Sequence, residues 1–408
     1  MALIVMKFGG TSIATPELIL RAARRVVSVK KEGNDVVVVA SAMGDTTDEL
    51  ENLAAKITQN PVEREMAVLM ITGERISNAL LAMALNDIGQ PARSFTGWQA
   101  GFVTDNTSPL RARILSVEPK RVREALDGGV IPVVTGYQGI TEGGDETALG
   151  RGGSDLTAVA LACALKADAC EIYTDVEGVY TANPRVVKNA RKIPLISHEE
   201  MLEMASMGSQ VMQARSIEYA KKHGAVIHVR STFSENTGTI IREADVSMEA
   251  VVVRGIAHDM TEAKITLRGV PDRPGVAATL FNRMAQANVN VDMIVQNVSL
   301  DGVTDISFTV SRPDLRKTMD ACLLIQRDIG AREVIADEEI AKISVVGIGM
   351  RSHTGVAAKM FDTLAKRGIN IEMISTSEIK VSCIVRESQA EEAVRALHSA
   401  FELDSDQS

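Results

Sequence analysis

The 408-residue chain is too long for one ordinary core and is expected to divide into two to four domains. A hydrophobic fraction of 45% and a charged fraction of 24% are those of a folded, soluble protein. A net charge of −9, aromatics at 3% and a single tryptophan, Trp98, argue against nucleic acid as a partner, because neither a basic footprint nor a stacking surface is present.

The opening stretch MALIVMKFGG has too short an apolar run for a signal peptide and lacks its basic start. No uninterrupted apolar run approaches a membrane span, so no membrane partner is expected. Cys163, Cys170, Cys322 and Cys383 show no metal-ligand spacing and read as core residues in a reducing compartment. A cytoplasmic protein without a metal site of its own is expected.

In chain order, Leu3–Lys7 is a short apolar run closing on Lys7-Phe8-Gly9-Gly10-Thr11-Ser12, and a helical pattern begins near Pro16. Val36–Ala40 is a second buried strand, followed by Ser41-Ala42-Met43-Gly44-Asp45-Thr46-Thr47-Asp48 with helix-start chemistry. Residues 62–85 read as helix, interrupted at Thr72-Gly73-Glu74-Arg75. Ala92–Phe95, Val130–Thr135 and Ala169–Thr174 are further strands; the last leads into Asp175-Val176-Glu177-Gly178-Val179-Tyr180. Short β-branched runs alternating with helices predict a mostly parallel sheet covered on both faces, with ligands at the carboxyl ends of its strands.

One stretch stands out between two of those strands. Thr147–Asp155, TALGRGGSD, combines glycines, Arg151, hydroxyls and a carboxylate ahead of the apolar run Leu156–Leu165. Glycines expose backbone N–H groups, a helix N-terminus favours an anion, and Arg151 offers a bidentate fork. The same stretch also reads as a plain turn in which Ser154 or Asp155 caps the helix.

Beyond Arg242 the pattern repeats. Lys264–Val270 recurs at Lys342–Ile348, Gly275–Ala278 at Gly355–Ala358, and Asn290–Ile294 at Asn370–Ile374. Each copy reads as a ferredoxin-like βαββαβ unit, and the unpartnered strand Val251–Arg254 could join the second.

Neither a G-x-x-x-x-G-K-[ST] loop nor a complete G-x-G-x-x-G is present, and kinase-like HRD and DFG are absent. Lys7 with Gly9 and Gly10 could still hold phosphates, or Lys7 could be a surface lysine after an edge strand. Thr47, Glu74 and Arg151 (a hydroxyl, a carboxylate and a guanidinium) suit a free α-amino acid. No His or Cys stands near these loops, so proton abstraction is not what the set provides. A carboxylate acceptor, already ionised at pH 7, needs none.

KFGGTS (7–12), SAMGDTTD (41–48), TGER (72–75), SFTGWQAG (94–101), GRGGSD (150–155) and TDVEGVYTANPR (174–185) together resemble the aspartokinases of the amino-acid-kinase superfamily. The C-terminal repeats resemble ACT modules through VPDRPGVAA (270–278), NVDMIVQ (290–296) and STSEI (375–379). The resemblance covers essentially the whole chain in order. It implies a three-layer αβα catalytic domain over residues 1–245, a first ACT module over 264–336, and a second from 246–263 plus 342–405. It also implies ATP with Mg²⁺ and L-aspartate as reactants. Catalytic roles would fall to Lys7, Arg151 and Asp155. Aspartate would meet Thr47, Glu74, Arg151 and Ser154, and ATP would meet Lys7, Phe8, Gly9, Gly10, Thr174, Asp175, Tyr180 and Arg185. Many relatives carry Lys where this chain has Gln210, so no contact is carried over there.

Lysine, threonine or both would act as effectors. Their pocket would be lined by Asp272, Pro274, Gly275, Val276, Ala277, Asn290, Asp292 and Gln296, with Gly355, Val356, Asn370, Ile371 and Ser377 from the second copy. A homo-oligomer joined through the modules is expected, and Met248 could start a separate regulatory chain.

Overall fold

The computed structural model describes residues 2–206, 211–245, 248, 250–297 and 302–405, so Gln210 lies outside the described residues. They form two units. The first takes residues up to Tyr180, together with Lys192–Ser206 and the segment to 249; the second takes Thr181–Arg191 and the chain from Ala250 onward.

The first unit is built on an eight-stranded sheet. Its strands are β1 (Leu3–Phe8), β2 (Asp35–Ala40), β3 (Ala92–Phe95), β6 (Ile131–Thr135), β9 (Ala169–Thr174), β10 (Leu195–Ser197), β11 (Ile227–Ser231) and β12 (Thr239–Arg242). Between them β4 (Phe102–Thr104), β5 (Ile114–Val117), β7 (Gln138–Thr141) and β8 (Glu146–Ala148) make a second, four-stranded sheet. The large sheet runs β10-β12-β11-β9-β1-β2-β6-β3, and every pairing except β11 with β12 is parallel. Central parallel strands are buried on both faces, which is why β2 is almost pure valine.

Helices are α1 (Pro16–Lys31), α2 (Thr46–Ala55), α3 (Glu63–Met70), α4 (Thr72–Asp87), α5 (Lys120–Asp127), α6 (Gly153–Leu165), α7 (His198–Ser206) and α8 (Ala214–His223). Thr15 caps α1 by accepting from the Leu18 N–H at 3.4 Å, and Pro16 fits its first turn. One face of α1, Ile19, Ala22, Ala23 and Val26, then buries against Val36 and Val38. Helix α6 is apolar on all sides and almost wholly buried, as an enclosed helix must be. The helical stretch expected over 62–85, interrupted at Thr72–Arg75, is two helices that part at Ile71, one residue before the expected interruption. Residues Glu63–Asp87 would suit a membrane span by length and composition, yet they break at Ile71 and place Leu81 and Leu85 in the sheet's core.

The second unit carries both repeats. The first is β14 (Glu262–Pro271), α9 (Val276–Gln286), β15 (Ile294–Gln296), β16 (Val303–Ser311), α10 (Leu315–Ile329) and β17 (Glu333–Asp337), with sheet order β15-β16-β14-β17. The second is β18 (Ile340–Val346), α11 (Val356–Lys366), β19 (Met373–Thr376), β20 (Lys380–Arg386) and α12 (Ala390–Ala400). Its fourth strand comes from upstream: β13 (Gly255–Asp259) pairs antiparallel with β18 where β17 pairs with β14. The strand expected at Val251–Arg254 thus falls one step later in sequence.

The Thr181–Arg191 segment packs with the second repeat. Ala182 and Val187 join its core, and Thr181 Oγ1 lies 2.9 Å from His398 Nε2. His398 is buried, and desolvation lowers its pKa.

Candidate active site

The carboxyl ends of β1, β2, β6 and β9 place the first unit's polar loops together. Lys7 is the penultimate residue of β1, in register with Val39 on one side and Ile172 on the other. A lysine only 8% exposed at the centre of a sheet needs a counter-charge. Asp155, in the first turn of α6, provides it, with Nζ to Oδ1 at 2.5 Å.

Glu74 comes from the first turn of α4 and is 4% exposed. Its Oε1 accepts from Ser154 Oγ at 3.2 Å, while Oε2 is buried with no hydrogen-bond partner. Burial pushes its carboxyl up to about 8; Ser154, nearby backbone and the Lys7 charge pull the other way. A carboxylate held this way is poised for an incoming positive charge.

Ser154 and Asp155 do not cap α6, contrary to the turn reading. The cap residue is Gly152 at φ +70°, and both side chains are spent on Glu74 and Lys7. Gly136, just past β6, leaves room for this: a Cβ there would stand 2.7 Å from that of Ser154.

The glycine turn is tight. The Gly9 N–H donates to Tyr173 O at 3.0 Å and so is committed to the fold, leaving the N–H of Gly10 without a partner among the described residues. Phe8 stacks on Tyr173 with ring centroids 5.0 Å apart, beneath the turn. A Cβ on Gly10 would meet Ala42 O at 2.9 Å and Gly44 O at 3.2 Å. We therefore expect Gly10→Ala to lower the melting temperature by ~4 °C or more and to raise the KM for ATP, whereas Gly143→Ala, which meets nothing closer than 3.7 Å, changes neither. Thermal melts and nucleotide titrations check this.

Thr47 is the second residue of α2, half-buried, its hydroxyl without a hydrogen-bond partner among the described residues. Arg151 is exposed in the turn before α6 and makes no hydrogen bond or ion pair to another described residue. Thr174 closes β9 and donates to Asp175 at 3.0 Å. Tyr180 forms an isolated bridge with Lys192, and Arg185 belongs to the second unit.

Two residues escaped sequence reading. Tyr137 holds φ +67°, a conformation costly outside glycine, and burial, helped by the Glu74 charge, pushes its hydroxyl up to about 12. Thr232 donates to Ser12 at 2.6 Å, and Ser12 donates to Tyr173 O, bracing the turn from β11's end. Neither the backbone strain nor the Thr232 link has a local sequence signal, because both depend on neighbours distant along the chain.

In the second unit, Gly275 and Gly355 take φ +96° and +93° immediately before α9 and α11. Val276 and Val356 begin those helices buried; Ala277 is half-buried, and Asp272, Pro274 and Asn290 are exposed. A groove of about 510 Å³ brings Gly355, Val356 and Ser377 together with Arg351, His353 and Glu378, but not Asn370 or Ile371. Gln296 ends β15, and Asp292 pairs with Lys342 at 2.6 Å.

The parallel-sheet unit with its buried Lys7–Asp155 pair at the strand ends falls within residues 2–231, which match the model of the amino acid kinase family. An ACT domain model matches residues 265–322 and 343–401. Over 411 residues the chain is 51% identical to an aspartokinase of Mycolicibacterium smegmatis, covering 100% of this chain and 97% of that one. It is 53% identical to an aspartate kinase of Pseudomonas putida, covering 99% and 98%. A crystal structure of E. coli aspartokinase III in complex with lysine and aspartate, in its T-state, superposes with a TM-score of 0.73 at 26% identity, covering 98% and 99%. The chain belongs to the aspartokinase family, enzymes that phosphorylate aspartate using ATP.

Proposed function

We propose that the enzyme transfers the γ-phosphoryl group of ATP to the side-chain carboxylate of L-aspartate. The product, 4-phospho-L-aspartate, opens the route to lysine, threonine and methionine. The observation that carries this reading is the meeting, at the strand ends, of the Lys7–Asp155 pair with the buried Glu74, whose carboxyl feels the Lys7 charge. Glu74 binds the aspartate ammonium and Arg151 its α-carboxylate, with Thr47 and Ser154 alongside. Lys7 neutralises charge on the transferred phosphoryl group, and Asp155 holds Lys7 in place. Phe8, Gly9, Gly10, Thr174, Asp175 and Tyr180 form the nucleotide side.

Mg²⁺ comes with the nucleotide in this reading. Among the described residues no group of three or more His, Cys, Asp and Glu could hold a metal ion. Phosphates and water would carry such an ion, with Asp155 and Asp175 as the carboxylates of this site beside it. Its chemistry is charge neutralisation across the phosphates.

Lysine, threonine or both bind the ACT modules and favour a less active state, with a coupling of roughly 1–3 kcal/mol. A cytoplasmic homo-oligomer joined through these modules, with a separate regulatory chain started at Met248, completes the proposal. The test is a coupled assay with aspartate or glutamate, adding lysine and threonine singly and jointly. Aspartate should exceed glutamate by about 100-fold or more in kcat/KM, since an extra methylene displaces the acceptor oxygen. Equal turnover of the two would reject the substrate, and full activity with both effectors present would reject the regulation.

A further inference from the structure

The two ACT modules exchange ion pairs, and the exchange is not symmetric. Lys264 and Lys342 occupy the same place in the repeat, as do Asp292 and Glu372. Lys264 of the first module pairs with Glu372 of the second, and Lys342 of the second pairs with Asp292 of the first.

Glu372 holds a further cation, Arg386, whose Nε is 2.7 Å away. It stays neutralised if Lys264 withdraws. Lys342 instead serves two carboxylates of the first module, Asp292 and Glu262, each at 2.6 Å. Lys342 is 4% exposed and Glu262 7%, so both are enclosed, but the Asp292 side chain is 42% exposed and open to a ligand. The second oxygen of Glu262, Oε2, is buried with no partner.

These facts define two arrangements of one lysine. In the first, Lys342 bridges Asp292 and Glu262. In the second it turns wholly to Glu262, where the orphaned Oε2 accepts a further N–H, and Asp292 is released. Leaving Asp292 does not strand the ammonium, because a buried partner remains.

We propose that Lys342 is an internal counter-ion which the α-ammonium group of an amino-acid effector displaces from Asp292. The inference rests on the reading of Asp292 as an effector contact. The effector takes the lysine's place on the exposed carboxylate and Lys342 withdraws to Glu262. One salt link between the modules is thereby exchanged for a ligand, which is how binding there would change the modules' packing. The pseudo-equivalent Glu372 keeps Arg386 and is not displaced, so one such site is expected per chain.

The experiment is calorimetric titration of the full-length protein with threonine and, separately, with lysine. Lys342→Met removes the competitor and should tighten binding of at least one of them about tenfold, with one site per chain; Asp292→Ala should abolish that binding and Glu372→Gln should leave it unchanged. Where Lys342→Met fails to fold, the double variant Lys342→Met with Glu262→Gln, which removes the stranded buried charge, is read by the same criterion. Unchanged or weaker binding in the Lys342 variant, with binding lost in Asp292→Ala, overturns the displacement while the pocket stands. Wild-type affinity in Asp292→Ala, or no binding of either amino acid to the wild type, overturns the pocket reading and the displacement with it.

Discussion

Replacing Lys7 by Met is expected to lower kcat by about 1,000-fold with little change in the KM for aspartate. The reasoning begins from β1. A strand buried on both faces has no solvent to stabilise an ammonium, and the sheet places Lys7 one residue from its carboxyl end, where ligands bind. The Asp155 carboxylate at 2.5 Å keeps the side chain extended toward the strand ends. With a carboxylate acceptor there is no proton to remove, so catalysis is carried by alignment and counter-charge, and Lys7 is the buried cation at that point. Asp155→Asn should lower kcat less, because the ammonium remains and only its positioning suffers. Steady-state kinetics of both variants, with circular dichroism to confirm folding, checks the order. A Lys7→Met enzyme within tenfold of wild type would remove the proposed mechanism's central group.

Glu74 carries the second large effect. Its carboxyl is pushed up to about 8, first by burial, so the proton is held across neutral pH when the site is empty. An ammonium at Glu74 requires the ionised form. The kcat/KM for aspartate should therefore fall as pH drops below about 8, approaching tenfold per unit, with proton release on aspartate binding in calorimetry. Stability runs the other way. The folded-state value lies above the ordinary carboxylate value, so this group's contribution is fully present below about pH 4.5 and is lost as pH rises through about 8. Glu74→Gln should then weaken kcat/KM for aspartate by about 100-fold while melting at higher temperature than wild type at pH 8. A pH-independent kcat/KM between about pH 6 and about pH 9 would show that Glu74 does not meet the ammonium.

Period and turn chemistry determined much of this protein from sequence alone. Valine-rich β2 cannot be anything but a strand buried on both faces, and Ala92–Phe95 and Ala169–Thr174 match the observed strands residue for residue. The repeats exposed two copies of one fold, because Gly275 and Gly355 are needed at positive φ before a helix and Asn290–Ile294 and Asn370–Ile374 share one pattern. Residue types at the strand ends indicated phosphate and amino-acid chemistry without a base.

Tertiary structure alone decided who is paired with whom. Local sequence makes Ser154 and Asp155 good caps; only the approach of α4 and β1 diverts them to Glu74 and Lys7. The interruption near Thr72–Arg75 is legible in sequence; that it falls at Ile71 and leaves Glu74 in the first turn of α4 is not. That Thr181–Arg191 joins the second unit, that β13 completes the second module's sheet, and that Lys342 is shared between Glu262 and Asp292 all involve partners distant along the chain. Local propensity carries no record of such partners, because their free energy arises when burial removes the water that would otherwise satisfy each group singly.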